Sequence, residues 1–174
     1  NADLLATRVT IFDDEGNVVA EETGANAQTR IPSVHLWQPG QGYLYEAEIS
    51  LVNGDEVIDA YRQAFGVRTI RVDGTRLLIN GEPVYLTGFG MHEDHQTIGK
   101  AHNDALMLRD AACLEWVGAI SLRTSHYPYS AHILDYADRH GLLVIDEPPA
   151  VGMNMGLGGG MFGTLGYTTF SAET

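Results

Sequence analysis

Three short stretches concentrate the side chains able to do chemistry. Gly88-Phe89-Gly90-Met91-His92-Glu93-Asp94-His95 supplies two imidazoles and two carboxylates. Arg123-Thr124-Ser125-His126-Tyr127-Pro128-Tyr129 adds a guanidinium, an imidazole and hydroxyls, and Asp146-Glu147-Pro148-Pro149 adds two more carboxylates. Brought to one end of a fold, this set suits a polar cleft that handles an anion or a sugar. Each group also has a plainer reading. His92 and His95 with Glu93 and Asp94 are metal-ligand types. Their H-E-D-H spacing is not the helical H-E-x-x-H of a zinc site, so neither a metal nor a cofactor is expected. Asp146 and Glu147 are the residue types of a glycosidase pair, which needs a separation of roughly 5–9 Å. Neighbours on one strand point to opposite faces, so they make a poor pair. Ser125 lacks the G-x-S-x-G elbow of a serine hydrolase. Arg123 has the fork to position a carboxylate, and His126 can serve as a simple hydrogen-bonding group at a barrel rim.

The elements that must position these residues follow two different grammars. Val9 to Phe12 and Val18 to Ala20 flank Asp13-Asp14-Glu15-Gly16-Asn17, which reads as a hairpin. Tyr43 to Leu51 alternates, with Tyr43, Tyr45, Ala47, Ile49 and Leu51 on a dry face and Glu46, Glu48 and Ser50 on a wet one. Asn53-Gly54 turns the chain into a return strand, Val57 to Ala64. No helical period precedes residue 100, so residues 1–67 read as part of a β-sandwich. From about residue 68 the pattern changes. Leu77 to Leu86 reads as a hairpin or the start of a strand, and Gly88 to His95 follows that strand. A helix spans Asp104 to Val117, with Leu108, Ala112, Cys113, Trp116 and Val117 on its apolar side and Gly118 as its stop. Cys113 is therefore expected in the core. Ile120 to Leu122 is a short strand. Ser130 caps a second helix running to His140, with Ile133, Leu134 and Ala137 inward. Leu142 to Ile145 reads as a buried parallel strand. Strand and helix in alternation predict a parallel sheet, either barrel or doubly wound, with functional groups past the strand ends. Gly156 to Tyr167 is glycine-rich and reads as a loop, since the phosphate-cradle motif is absent.

Composition narrows the partners. The chain has 174 residues, 44% of them apolar, enough for a real core. Ten basic and 23 acidic side chains leave a net charge of −13, which argues against nucleic acid or an anionic membrane as partner. No apolar run approaches the roughly 18 residues of a membrane span. A single cysteine excludes a disulfide framework and allows a reducing compartment; a cytoplasmic location is the expectation. Asn1 reads as mid-sequence, with no leader visible.

Ser121-Leu122-Arg123-Thr124-Ser125-His126-Tyr127-Pro128, continued by Asp138 to Glu147, closely resembles the first signature of glycoside hydrolase family 2. Leu36 to Tyr45, Gly88 to Asp94 and Gly99-Lys100 look like the β-glucuronidases within it. The resemblance covers nearly the whole chain. It implies a larger retaining enzyme with a sugar-binding jelly roll, an immunoglobulin-like sandwich and a (β/α)₈ TIM barrel carrying two catalytic glutamates. This chain would hold the later part of the sandwich (1–67) and the first three βα units of the barrel (68–174). By resemblance His92 contacts sugar hydroxyls, Arg123 braces the nucleophilic glutamate, and His126 lines the floor with Asp94 behind it. The loop from Gly156 to Tyr167 would influence the aglycone that fits.

Two positions depart from the pattern: Ile120 where the family has Asn, and Met91 where it has Arg. The second alters local hydrogen bonding and bears on substrate preference. The acid/base Asn-Glu-Pro, the nucleophile and the carboxylate-gripping Asn-x-Lys are expected beyond Thr174, so the 174 residues alone should be inactive. The expected partners are a small-molecule glucuronide, the remainder of the same enzyme and further copies in a homo-oligomer. Other readings stay open: a β-galactosidase or β-mannosidase of the same family, a non-catalytic carbohydrate-binding or assembly module, and a metal hydrolase built on His92 and His95.

Overall fold

The computed structural model describes residues 5–148, so the glycine-rich segment Gly156 to Tyr167 lies outside the described residues. The expected hairpin forms from β1 (Leu5–Phe12) and β2 (Val18–Thr23). Asp13 shapes its turn. Its Oδ1 accepts from the backbone N–H groups of Glu15 and Asn17 at 3.1 and 2.7 Å. Hydrogen bonds from Asn17 are the main reason its carboxyl is held below the usual carboxylate value. β3 (Tyr45–Asn53) pairs with β1, and β4 (Glu56–Phe65) returns along β3, giving an antiparallel sheet of order β2-β1-β3-β4.

The expected wet and dry faces of β3 do not hold to its end. Ser50 is fully buried on the supposed wet face, while Leu51 on the dry face is 36% exposed. The Ser50 hydroxyl is satisfied by Glu48 Oε1 at 3.3 Å, and Glu48 is in turn held by Arg62. Arg62 bonds both Glu46 and Glu48, at 2.8 and 2.7 Å. Among the described residues no second layer covers Leu51. β4 is exposed along nearly its whole length.

A three-stranded antiparallel meander follows: β5 (Ile70–Asp73), β6 (Arg76–Ile79) and β7 (Glu82–Val84). Asn80 and Gly81 form its second turn with φ of 54° and 88°, a conformation that Asn-Gly favours. Next come β8 (Gly88–Met91) and a small hairpin of β9 (Asp94–His95) and β10 (Gly99–Lys100). Then follow α1 (Asp104–Trp116), β11 (Ser121–Thr124), α2 (Ala131–His140) and β12 (Leu143–Ile145). β8, β11 and β12 form the expected parallel sheet, in sequential order. Its first strand is Gly88–Met91 itself, not a segment before it. Glycines in a strand read as turn signals, but here they allow close contact. A Cβ on Gly88 would lie 1.9 Å from the Ser121 carbonyl oxygen.

The helices correct two further expectations. α1 buries Ala111 and Leu114, and leaves Leu108, Trp116, Val117 and Cys113 exposed. Apolar residues surround this helix, so their spacing cannot select the inward face. Cys113 is therefore a surface thiol and not a core residue. In α2, Ile133 and Ala137 are buried as expected, but Leu134 is 39% exposed. Ser130 occupies the cap position without bonding the helix backbone. Both helices stop where glycine was expected, at Gly118 and Gly141, each with positive φ. Leu142 is buried, but β12 is an edge strand here and Ile145 is 45% exposed. Among the described residues no helix is long and apolar enough to cross a membrane.

Trp37 joins these parts. Its side chain is 1% exposed. Its backbone N–H donates to Val67 O at 2.9 Å, and its carbonyl accepts from Asn80 Nδ2 at 2.9 Å. Its indole N–H donates to Asp138 O, near the end of α2, at 2.7 Å. The Arg68 guanidinium stacks over the ring, 4.6 Å from its centroid. Beside it, Gly40 N–H donates to Gly141 O at 2.8 Å. Trp37→Phe leaves the Asp138 carbonyl unpaired and should cost about 1–3 kcal/mol. Trp37→Ala should cost about 3–5 kcal/mol. Melting temperatures of the two variants should fall in that order.

Exposed apolar side chains mark surfaces that need cover: Val57, Ile58 and Tyr61 on β4, Phe89 on β8, and Trp116, 86% exposed, on α1. The 174-residue chain on its own should therefore self-associate, which sedimentation velocity would detect. A monomer that melts cooperatively would contradict this.

Candidate active site

The three chemistry-bearing stretches meet at the C-terminal ends of β8, β11 and β12. β8 lies beside β11 with Gly90 opposite Arg123 and Met91 opposite Thr124. β12 lies on the other side, with Ile145 opposite Arg123. His92 therefore follows β8, His126 follows β11, and Asp146 and Glu147 follow β12.

Glu147 ties these ends together. Arg123 Nη1 donates to Glu147 Oε1 at 2.5 Å, and His126 Nδ1 lies 3.4 Å from Glu147 Oε2. The hydrogen bond from Arg123, with its positive charge, holds the Glu147 carboxyl below the usual carboxylate value, and His126 adds to the effect. Thr124, fully buried, fixes the loop that carries Glu147. Its hydroxyl donates to Asp146 Oδ1 at 2.7 Å and accepts from the Glu147 N–H at 2.9 Å. Adjacent carboxylates thus take different partners, as the opposed directions of neighbouring residues require. Gly90 makes room for the guanidinium, since a Cβ there would lie 3.2 Å from Arg123 Nη2.

His92 stands across from His126, with ring centroids 5.2 Å apart and planes nearly perpendicular. Its Nδ1 is 3.9 Å from Asp94 Oδ2. Both residues are more than half exposed. Tyr127 supports the loop after β8 by accepting from the Glu93 N–H at 3.1 Å, and Lys100 sits over its ring at 3.6 Å. Tyr129 donates to the Met91 carbonyl, and burial pushes its phenol well above the usual value. The Ser125–His126 peptide is cis.

The structure thus gathers His92, Asp94, Arg123 and His126 at one sheet end. It adds Glu147, which sequence reasoning left out of the site. The available signal was its place just past a strand beside the strand of Arg123. Local sequence pairs it only with the adjacent Asp146, which points the other way. His92 and His95 form no three-residue ligand group among the described residues; that arrangement falls to His102, Asp104 and His132.

Comparison with known proteins places the chain in a family. Residues 4–68 match the family model described as glycosyl hydrolases family 2, and residues 70–172 match the family 2 TIM barrel domain. A beta-glucuronidase of Paenibacillus borealis is 42% identical over 146 residues, covering 83% of this chain and 24% of its relative. The beta-glucuronidase of Rattus norvegicus is 40% identical over 157 residues, covering 87% of this chain and 24% of its relative. Among solved structures, the Ruminococcus gnavus beta-glucuronidase in complex with D-glucuronic acid is 42% identical. It superposes with a TM-score of 0.81, over 85% of this chain and 26% of that one. The chain spans about a quarter of the length of the curated relatives it matches. Because the two family models run in succession from residue 4 to residue 172, a sandwich region followed by TIM-barrel sequence, this chain belongs to glycosyl hydrolases family 2.

Proposed function

We propose that the complete polypeptide carrying this chain is a retaining β-glucuronidase, and that this chain forms one wall of its active site. The observation that carries the reading is the 42% identity, over 85% of the chain, to a beta-glucuronidase whose structure holds D-glucuronic acid. Residues 1–67 are the later part of an immunoglobulin-like sandwich, and residues 68–174 are the first three βα units of the barrel. The two catalytic glutamates lie elsewhere in the polypeptide.

His92 binds sugar hydroxyls, and Asp94 orients it. Arg123 is a positioning residue. Its guanidinium has five N–H donors, so it can hold Glu147 and still direct others toward the nucleophile. A carboxylate held by such donors stays ionised and ready to attack the anomeric carbon. His126 lines the floor, held by Glu147. The acid/base glutamate protonates the leaving oxygen and then activates the water that frees the sugar. The enzyme works as a homo-oligomer.

The complete polypeptide should turn over 4-nitrophenyl β-D-glucuronide, with the β-anomer released first. The corresponding galactoside and mannoside should react at least about 100-fold more slowly. Preference for either one would overturn the substrate assignment. The 174-residue chain, its mass confirmed, should show no turnover; activity there would return attention to Glu93, Asp94, Asp146 and Glu147. Arg123→Lys, which loses the planar fork, should lower kcat about 10²-fold with a smaller change in KM.

Glu147 gives a pH test. Its carboxyl is depressed in the folded state, so the stability it contributes is complete above the ordinary carboxylate range. That contribution is lost as pH falls through the depressed value. Glu147→Gln should therefore melt below wild type at pH 7. The gap should narrow as pH falls below the ordinary carboxylate range and close once pH has passed below the depressed value, where the wild-type side chain is also neutral. A gap that persists unchanged into acid would show that the charge is not what matters.

A further inference from the structure

The N-terminal turns of α1 and α2 bring together a second set of side chains, apart from the strand-end cluster. His102 precedes Asn103, the cap residue of α1; Asp104 opens α1, and His132 is the second residue of α2. His102 Nε2 lies 2.6 Å from Asp104 Oδ1, and His132 Nδ1 lies 4.0 Å from the same oxygen. The two imidazoles are nearly parallel, with 12° between planes and centroids 5.3 Å apart. Donor atoms from all three residues lie within 4.8 Å of one another. Zinc bonds of about 2.0–2.1 Å place tetrahedral ligand atoms about 3.3 Å apart. Of the two contacts to Asp104 Oδ1, the shorter must open and the longer close by about 0.7 Å, and the His102 and His132 nitrogens, within 4.8 Å of one another, must close by at most about 1.5 Å, within the reach of surface side chains.

The surroundings of His102 are those of a ligating imidazole. Its far nitrogen, Nδ1, lies 3.0 Å from Ser130 Oγ and 3.9 Å from Glu93 Oε1. A metal-bound histidine has its other nitrogen held in this way, which fixes the ring and leaves one lone pair for the ion. Ser130 is available for the task because its hydroxyl makes no bond to the backbone of α2. One carboxylate and two imidazoles also supply negative charge and nitrogen donors together. That combination favours a borderline cation over magnesium or calcium, which prefer oxygen ligands.

We propose that His102 Nε2, Asp104 Oδ1 and His132 Nδ1 form a binding site for a divalent cation of the zinc or nickel class. Water completes the coordination. The ion takes the position of the proton between His102 and Asp104 and clamps the start of α1 to the start of α2. Through Glu93 the clamp reaches the loop that carries His92. The site is independent of the glucuronidase reading, because none of its ligands takes part in the proposed hydrolysis.

The test is zinc titration of the chelator-treated complete polypeptide, read by competition with a chromogenic indicator and by melting temperature. One equivalent should bind at micromolar zinc and raise the melting temperature, and excess magnesium should not displace it. His132→Ala and Asp104→Asn should each weaken that equivalent at least about tenfold. Both positions have side chains 63% exposed, so the variants should melt like wild type without zinc. His92→Ala should bind zinc as wild type does. The proposal falls if no zinc binds at 100 µM added metal (a concentration about two orders above the expected constant). It also falls if wild type and both variants titrate identically, or if the equivalent is lost in His92→Ala.

Discussion

The buried indole of Trp37 is where the parts of this chain become one structure. This one residue bonds three segments far apart in sequence: its backbone bonds Val67, at the end of the first sheet region, and Asn80 in the meander, and its indole bonds Asp138 near the end of α2. The last bond spans 101 residues. An indole is large enough to fill such a junction, and its one donor satisfies a carbonyl that burial would otherwise leave unpaired. Glycines complete the contact because they let backbone approach backbone. A Cβ on Gly42 would lie 2.3 Å from the Arg139 carbonyl oxygen, and one on Gly141 would lie 2.5 Å from the Gln41 nitrogen. The end of α2 is thereby held where β12 begins, and β12 delivers Glu147.

The same economy governs the sheet that carries the strand-end residues. Gly88 and Gly90 allow β8 to press against β11, and the space beside Gly90 receives the Arg123 side chain. Thr124 then fixes the loop after β12 through two hydrogen bonds from one buried hydroxyl. Arg123 and His126 sit at the end of β11 and Glu147 just past β12, so the approach of Glu147 to the other two depends on strand register. Parallel sheets present residues from successive strands at one end, which lets distant segments form one pocket. Met91 packs partly against the core cluster and contributes its carbonyl to Tyr129. It adds no charge to the pocket wall.

Membership of glycosyl hydrolases family 2 also accounts for the surfaces left open. β4, the outer side of β8 and the Trp116 side of α1 carry apolar side chains that solvent does not favour. The curated relatives are about four times longer than the aligned portion, so chain is available in them to cover such faces.

Much of this was legible from residue types alone. Alternation, turn dipeptides and helix stops located most strands and both helices, because these signals act over a few residues. The signature around Arg123 identified the family, because its chemistry demands particular side chains at fixed spacing. Where the sequence misled, the deciding contact was remote. Gly88 to Met91 reads as the stretch that follows a strand until Ser121 lies against it. Cys113 reads as core because apolar residues surround α1, and only the position of the sheet selects Ala111 and Leu114. Glu147 looks redundant beside Asp146 until β11 brings Arg123 to it, and His102 and His132 are 30 residues apart until the two helix starts adjoin. The sequence by itself determined the elements, the family and the residues able to do chemistry, since these depend on local pattern. Tertiary structure alone decided which faces are buried and which charges meet, since packing and electrostatic contact depend on distance in space and not along the chain.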